Sequence, residues 1–253
     1  MNTRPLILIS NDDGYDAKGI NDLANFVRDL GDIIIVAPDG GRSGTAMAMT
    51  SANPVRVKKV REEEGLQVYA CSGTPCDCVK LAFEFILPRR PDIVLAGINH
   101  GDNAAVNVHY SGTMGVVIEG MMKHVASVGF SSCKRAADAD FSALRPYIHH
   151  IVAKVLAEGL PNHVCLNVNF PERDTFGGVK ICSMDAGQWL NEWEKRTDPH
   201  GRDYYWLTGN YETPNANDAT TDRWALDHGF VAITPIQLDM TAYRAMALLK
   251  NYF

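Results

Sequence analysis

Asp12 and Asp13 are adjacent carboxylates. They follow directly on the apolar run Leu6-Ile7-Leu8-Ile9 and precede Gly14. Four apolar residues in a row read as a buried strand of a parallel sheet. Open α/β sheets hold their ligands in the crevice beyond the carboxyl ends of the strands. Two acidic side chains there repel one another unless a cation lies between them. Together they make a hard-oxygen site suited to Mg²⁺ or Mn²⁺. The chemistry this predicts is metal-assisted reaction of an anionic substrate. A single acid here would read as the cap of the helix that begins near Ala17.

Two further strand ends are rich in oxygen ligands. One leads into Ala37-Pro38-Asp39-Gly40-Gly41-Arg42-Ser43-Gly44, the other into Ala96-Gly97-Ile98-Asn99-His100-Gly101-Asp102-Asn103. In a parallel sheet these ends share one edge, so distant residues can converge. Ser43 and Asn99 are equally at home in turns. His100 and His109 are candidate acid/base groups, although loop histidines are commonly solvated. Tyr110-Ser111-Gly112-Thr113-Met114-Gly115 places small hydroxyl residues before an apolar helix. Helix N–H groups and the helix dipole favour phosphate there; an ordinary Ser/Thr cap is the plainer reading.

The elements that must carry these residues alternate. Strands are predicted at Leu6–Ser10, Ile33–Ala37, Asp92–Ala96, Ala126–Phe130, Val164–Asn169 and from Gly229 to Pro235. Helices are predicted over Ile20–Leu30 with Gly31 as the stop, over Asp77–Phe85 after the Gly73-Thr74-Pro75 turn, from Ser111 to about Lys123, over Leu144–Leu156, and from about Thr241. This βαβα order predicts a parallel sheet covered on both faces. Near residue 185 the composition changes. All four tryptophans, Trp189, Trp193, Trp206 and Trp224, lie beyond it with Tyr204, Tyr205 and Tyr211 among Asn, Asp, Thr and Gly. The segment 185–228 reads either as a surface excursion with its own small cluster or as an oligomer contact, where Trp and Tyr are enriched.

With 253 residues, the chain can form one large α/β domain. Its 46% hydrophobic and 21% charged residues are ordinary for a globular protein. A net charge of −6 without a Lys/Arg run argues against duplex nucleic acid or an anionic membrane as partner. A phosphate ester stays compatible, since a metal ion supplies local positive charge. There is no basic-then-apolar leader and no run of 18 apolar residues, so a cytoplasmic location is expected. In that setting the six cysteines, Cys71, Cys76, Cys78, Cys133, Cys165 and Cys182, read as free thiols. Cys76-Asp77-Cys78 lacks the second ligand pair of a zinc site.

Five stretches resemble one family in order: ILISNDDGYDAKGI, VAPDGGRSG, SGTPCDCVKLA, LAGINHGDNAAVNVHYSGTMGVVIEG and TTDRWALDHGFVAITPIQLDMT. The family is the SurE (stationary-phase survival protein) 5′/3′-nucleotidases, and the likeness runs from end to end. It implies a Rossmann-like, three-layer single domain over 1–253. The C-terminal excursion would be exchanged between subunits of a dimer or tetramer. The implied activity is hydrolysis of nucleoside 5′- and 3′-monophosphates with one divalent ion, Mg²⁺ or Mn²⁺, and with polyphosphate as a further substrate. Asp12, Asp13, Ser43 and Asn99 would be the metal ligands, with Asp12 and Asp13 also catalytic. Asn103, Ser111, Gly112 and Thr113 would hold phosphate. Ala96 stands where the family usually has Ser, and Ala104-Ala105 replaces Leu-Gly; the ligand set is intact.

The resulting expectation is a phosphomonoesterase that uses in-line attack of water. An aspartyl-phosphate route fits less well, because it normally needs carboxylates separated by one residue. A non-catalytic nucleotide and cation sensor is the rival of another class.

Overall fold

Residues 4–253 are described by the structure, a computed structural model. The chain starts with β1 (Leu6–Ser10), α1 (Lys18–Val27), β2 (Asp32–Pro38), β3 (Val57–Glu63) and β4 (Leu66–Cys71). It continues through α2 (Pro75–Leu81), β5 (Ile93–His100), α3 (Gly112–Met122), β6 (Ala126–Ser132), α4 (Arg145–Glu158) and β7 (Val164–Phe170). The last part holds β8 (Val179–Ile181), β9 (Gln188–Leu190), β10 (Trp193–Thr197), β11 (Asp203–Leu207), β12 (Asn210–Glu212), α5 (Asp222–Asp227), β13 (Val231–Gln237) and α6 (Tyr243–Leu249).

Nine strands form one sheet in the order β3-β4-β2-β1-β5-β6-β7-β13-β8. The centre from β4 to β7 is parallel. Both margins depart from the expected all-parallel sheet: β3 runs antiparallel to β4, and β13 antiparallel to β7. The period of two along β1 builds both cores. Ile7 and Ile9 face α1 and α4 with Ile20, Leu23, Ile148 and Val152. Leu6 and Leu8 face α2 and α3 with Val79, Met114 and Val117. The fold is therefore a three-layer α/β structure.

The chain leaves β1 toward β2 and β4, then crosses to β5 on the other side of β1. The β1/β5 boundary is the topological switch point, and the crevice beyond its carboxyl ends is where such sheets bind ligands. Asp12 and Asp13 follow β1 there, and Asn99 lies at the end of β5. That strand runs past Ala96, with an irregular register against β6 between Ala96 and Asn99. Gly97 has φ +111°, and a Cβ on it would lie 2.1 Å from the Phe130 carbonyl oxygen. Only glycine lets the chain deviate here and aim Asn99.

The aromatic excursion divides. β9 pairs with β12, and β10 with β11, outside the main sheet. Trp193 and Trp206 stand on β10 and β11, 64% and 61% exposed. Trp224 instead sits on α5 and stacks on His228 and Phe230 against the main body. All six cysteines are free thiols, as expected. Among the described residues, no helix is long and apolar enough to cross a membrane.

Candidate active site

Asn11 shapes the turn that presents the acidic pair. Its Nδ2 donates to the Gly14 carbonyl at 2.9 Å, and its Oδ1 accepts from the Gly14 N–H at 3.1 Å. Asp12 is then buried against the start of α3. The Thr113 hydroxyl donates to Asp12 Oδ1 at 2.6 Å. A Cβ on Gly112 would lie 2.7 Å from Asp12 Cβ and 2.9 Å from its Oδ2. Gly112 is thus required for close approach rather than for an unusual backbone angle. Burial pushes the Asp12 carboxyl up to about 6, against the pull of the Thr113 bond, and Asp13 adds to the rise.

Asp13 turns toward the end of β5. Burial raises its carboxyl as well, while the His100 ring and backbone N–H pull it down by less. Asp13 Oδ2 is buried with no hydrogen-bond partner; only Ser10 Oγ shares that condition among the described residues. An unpaired buried carboxylate oxygen is costly to maintain. That oxygen is open to a partner from outside the chain.

Ser43 is brought to this edge by its loop. The Arg42 N–H donates to the Asp12 carbonyl at 2.6 Å, and the Ala46 N–H to the Tyr110 carbonyl at 3.1 Å. The loop therefore spans from the acidic pair to the start of α3, with Ser43 exposed in between. Asn99 Nδ2 donates to the Gly101 carbonyl at 2.7 Å, and no described donor reaches its Oδ1. That oxygen stays available as a ligand. The Ser111 hydroxyl accepts from the Met114 N–H at 3.0 Å and caps α3, so the plainer reading of that residue holds for its side chain. His100 Nδ1 lies 2.8 Å from the Ala136 carbonyl, and its ring meets Phe141 edge-on, close to Asp13. His109 is exposed, outside these contacts.

Asn103 belongs to a buried polar network that the sequence did not reveal. Its N–H donates to Asn169 Oδ1 and its Nδ2 to Ser131 Oγ, both at 2.8 Å. Its carbonyl accepts from Asn167 Nδ2 at 2.8 Å, and Asn169 Nδ2 donates to Asn167 Oδ1 at 2.9 Å. The available signal was two asparagines two apart in the strand Val164–Phe170, both buried polar positions on an interior strand. Asp222 steadies the same loop from α5 by accepting from the Ala105 N–H at 2.8 Å.

The arrangement is a buried and a half-buried carboxylate, a free amide oxygen, an exposed hydroxyl on a tethered loop and the N-terminus of an eleven-residue helix. It can hold a hard cation beside an anion. The chain is similar to known proteins along nearly all of its length. The family model described as Survival protein SurE matches residues 7–191. A protein of Phocaeicola vulgatus named 5′-nucleotidase SurE is 56% identical over 249 residues, covering 98% of this chain and 97% of the relative. Its namesake from Bacteroides thetaiotaomicron is 52% identical over 251 residues, covering 98% and 96%. The crystal structure of the SurE protein from Aquifex aeolicus superposes with a TM-score of 0.84 at 35% identity, covering 98% of this chain and 99% of that one. With the family model matching most of its length and close relatives along nearly all of it, the chain belongs to the SurE family.

Proposed function

We propose that this chain is a metal-dependent nucleotidase that releases phosphate from nucleoside 5′- and 3′-monophosphates, with polyphosphate as a further substrate. The observation that carries the reading is Asp13 Oδ2, an oxygen buried without a partner beside the buried carboxylate of Asp12. A cation between the two carboxylates would offset their repulsion and give that oxygen a partner. Asp12, Asp13, Ser43 and Asn99 supply four oxygens of the kind hard divalent ions prefer. A bound Mg²⁺ or Mn²⁺ supplies polarisation of the phosphoryl oxygen and a more acidic water.

The chain's own residues do the rest. The Thr113 hydroxyl holds Asp12 in one orientation. The Gly112 N–H also faces Asp12, and the Met114 N–H is capped by Ser111. The Thr113 N–H, at the positive end of the helix dipole, is left to face an anion. Asp12 or Asp13 orients the attacking water and takes its proton. Developing charge on the phosphoryl oxygens is met by the start of α3 and the loop that Asn103 anchors. The relatives named 5′-nucleotidase SurE support 5′-nucleotides as substrates.

The test is phosphate release from 5′-AMP with Mn²⁺, repeated after chelation and after metal is restored. Release should stop with chelator and return with metal. Absence of release from any nucleoside monophosphate across divalent ions would overturn the reading.

A further inference from the structure

The segment between Asn99 and Ser111 joins a proposed metal ligand to the start of α3, and its middle is strained. Ala105 has φ +52°. That left-handed conformation is unfavourable for any residue with a Cβ. It persists where the surroundings hold it in place. The neighbouring Ala104 packs with Cys182, Ala225, Leu226 and Ala232. The Ala105 N–H donates to Asp222 Oδ2 at 2.8 Å.

Asp222 is fully buried and is not paired with a cation. The Arg223 guanidinium goes instead to Asp227 and Asp102. Donors from four parts of the chain hold the Asp222 carboxylate. Besides Ala105, Oδ2 accepts from the Thr234 hydroxyl of β13 at 3.4 Å. Oδ1 accepts from the Asp185 N–H at 3.0 Å and from the Arg223 N–H at 2.8 Å. The Asp185 side chain in turn accepts from the Tyr211 and Thr213 hydroxyls at 2.6 and 2.9 Å, and from Asn215 Nδ2 at 3.1 Å. Capping α5 does not account for these contacts, because Thr221 already caps it by accepting from the Trp224 N–H at 3.3 Å. One carboxylate joins the strained turn on one oxygen to the base of the β9–β12 pair on the other.

We infer that Asp222 is a positioning residue: it holds the Ala105 turn, and through it Asn103, in the geometry that binds phosphate, and it transmits the placement of the β9–β12 pair to that turn. The inference rests on the proposed nucleotidase function. Asn103 is fixed from β6 and β7 by Ser131, Asn167 and Asn169. Asp222 fixes the other end of the same short turn from α5. Its described hydrogen bonds include none to Asp12, Asp13, Ser43 or Asn99, so it acts on the phosphate side of the site and not on the metal side.

The test is calorimetric titration with inorganic phosphate at saturating Mn²⁺, and with Mn²⁺ alone, beside kcat/KM for 5′-AMP. Asp222→Asn keeps the shape but turns an amide N–H₂ toward the N–H donors, which breaks a tether. It should lower phosphate affinity and kcat/KM by about 10–100-fold, the effect of losing an orienting partner, with the affinity for Mn²⁺ unchanged. Glycine adopts positive φ without strain. Ala105→Gly added to Asp222→Asn should therefore recover phosphate affinity, which a merely structural role for Asp222 would not produce. The double variant Tyr211→Phe, Thr213→Val leaves Asp222 in place and loosens only the β9–β12 side. It should weaken phosphate binding in the same direction by a smaller factor. Unchanged phosphate affinity in Asp222→Asn, equal loss of Mn²⁺ affinity, or no recovery with Ala105→Gly overturns the positioning role. Unchanged phosphate affinity in the double variant overturns the transmission. Phosphate release by the native protein that Asp222→Asn matches would leave the nucleotidase reading standing without this role. Phosphate binding that follows the expected order, with no release from any ester, would support the role and overturn the nucleotidase reading.

Discussion

Asp13 is the residue on which the chemistry turns. A carboxylate oxygen kept buried without a partner destabilises the fold, and sites with such groups exchange stability for function. Asp13→Asn keeps the shape and removes the charge. Phosphate release at limiting Mn²⁺ should fall at least about a hundredfold, beyond what loss of an outer partner costs a metal site. The melting temperature of the metal-free variant should hold or rise. Thr113→Val removes the hydroxyl that orients Asp12. It should raise the Mn²⁺ needed for half-maximal activity by about 10–100-fold, the effect of losing an orienting partner; an unchanged requirement would show that the hydroxyl does not act through Asp12. Gly112→Ala places a methyl 2.7 Å from Asp12 Cβ. It should abolish phosphate release while circular dichroism shows the helix intact. At this scale the sequence carried the acidic pair plainly, because two adjacent acids after an apolar strand have few structural uses. It could not show that the Thr113 hydroxyl turns to Asp12. Nor could it show Asn167 and Asn169 holding Asn103, since those contacts join residues more than sixty positions apart.

At the scale of elements, α2 links stability to the Ser43 loop. Thr74 and Asp77 form a capping box, and Asp77 also accepts from the Thr50 N–H at 3.1 Å. Burial pushes the Asp77 carboxyl up, but bonds from Thr50 and Thr74 outweigh it and hold the group below the ordinary 3.8. A lowered folded pKa stabilises above the unfolded value and ceases to do so as pH falls through the folded one. Against Asp77→Asn, the native chain should therefore be more stable by about 1 kcal/mol near neutral pH. That advantage should shrink below about pH 4. Denaturant melts of both proteins across pH check this, and an advantage constant with pH would contradict it. The interior elements were legible because their apolar runs are uninterrupted. The hairpin β3–β4 was not: every residue of β3 is exposed, and its lysines, arginine and glutamates mark a protected sheet edge rather than a buried strand. The antiparallel turn of β13 also leaves no local trace, because pairing direction is set by where the chain returns, not by the strand's own residues.

At the scale of the whole molecule, two apolar features lie uncovered. Trp193, Tyr205, Trp206 and Leu207 are exposed on the β10–β11 hairpin, and α6 buries none of its residues while exposing Met246, Leu248 and Leu249. Surfaces of this kind mark contacts between chains. A homodimer or homotetramer is the expected state, with the hairpin or α6 crossing to a second copy. Light scattering at low micromolar concentration should give a multiple of 27.8 kDa, and a mass near one chain would reject the assembly. The acidic balance of −6 leaves duplex nucleic acid and anionic membranes outside the expected partners. The crevice at β1 and β5 is expected to hydrolyse a nucleotide through a cation held by the acidic pair. The most direct test is phosphate release from 5′-AMP by native protein and Asp13→Asn, titrated with Mn²⁺ after full removal of metal. Release by the native protein should rise from zero and saturate with Mn²⁺, while the variant stays near zero throughout. Equal release by the two proteins, or native release unaffected by metal removal, would contradict the account.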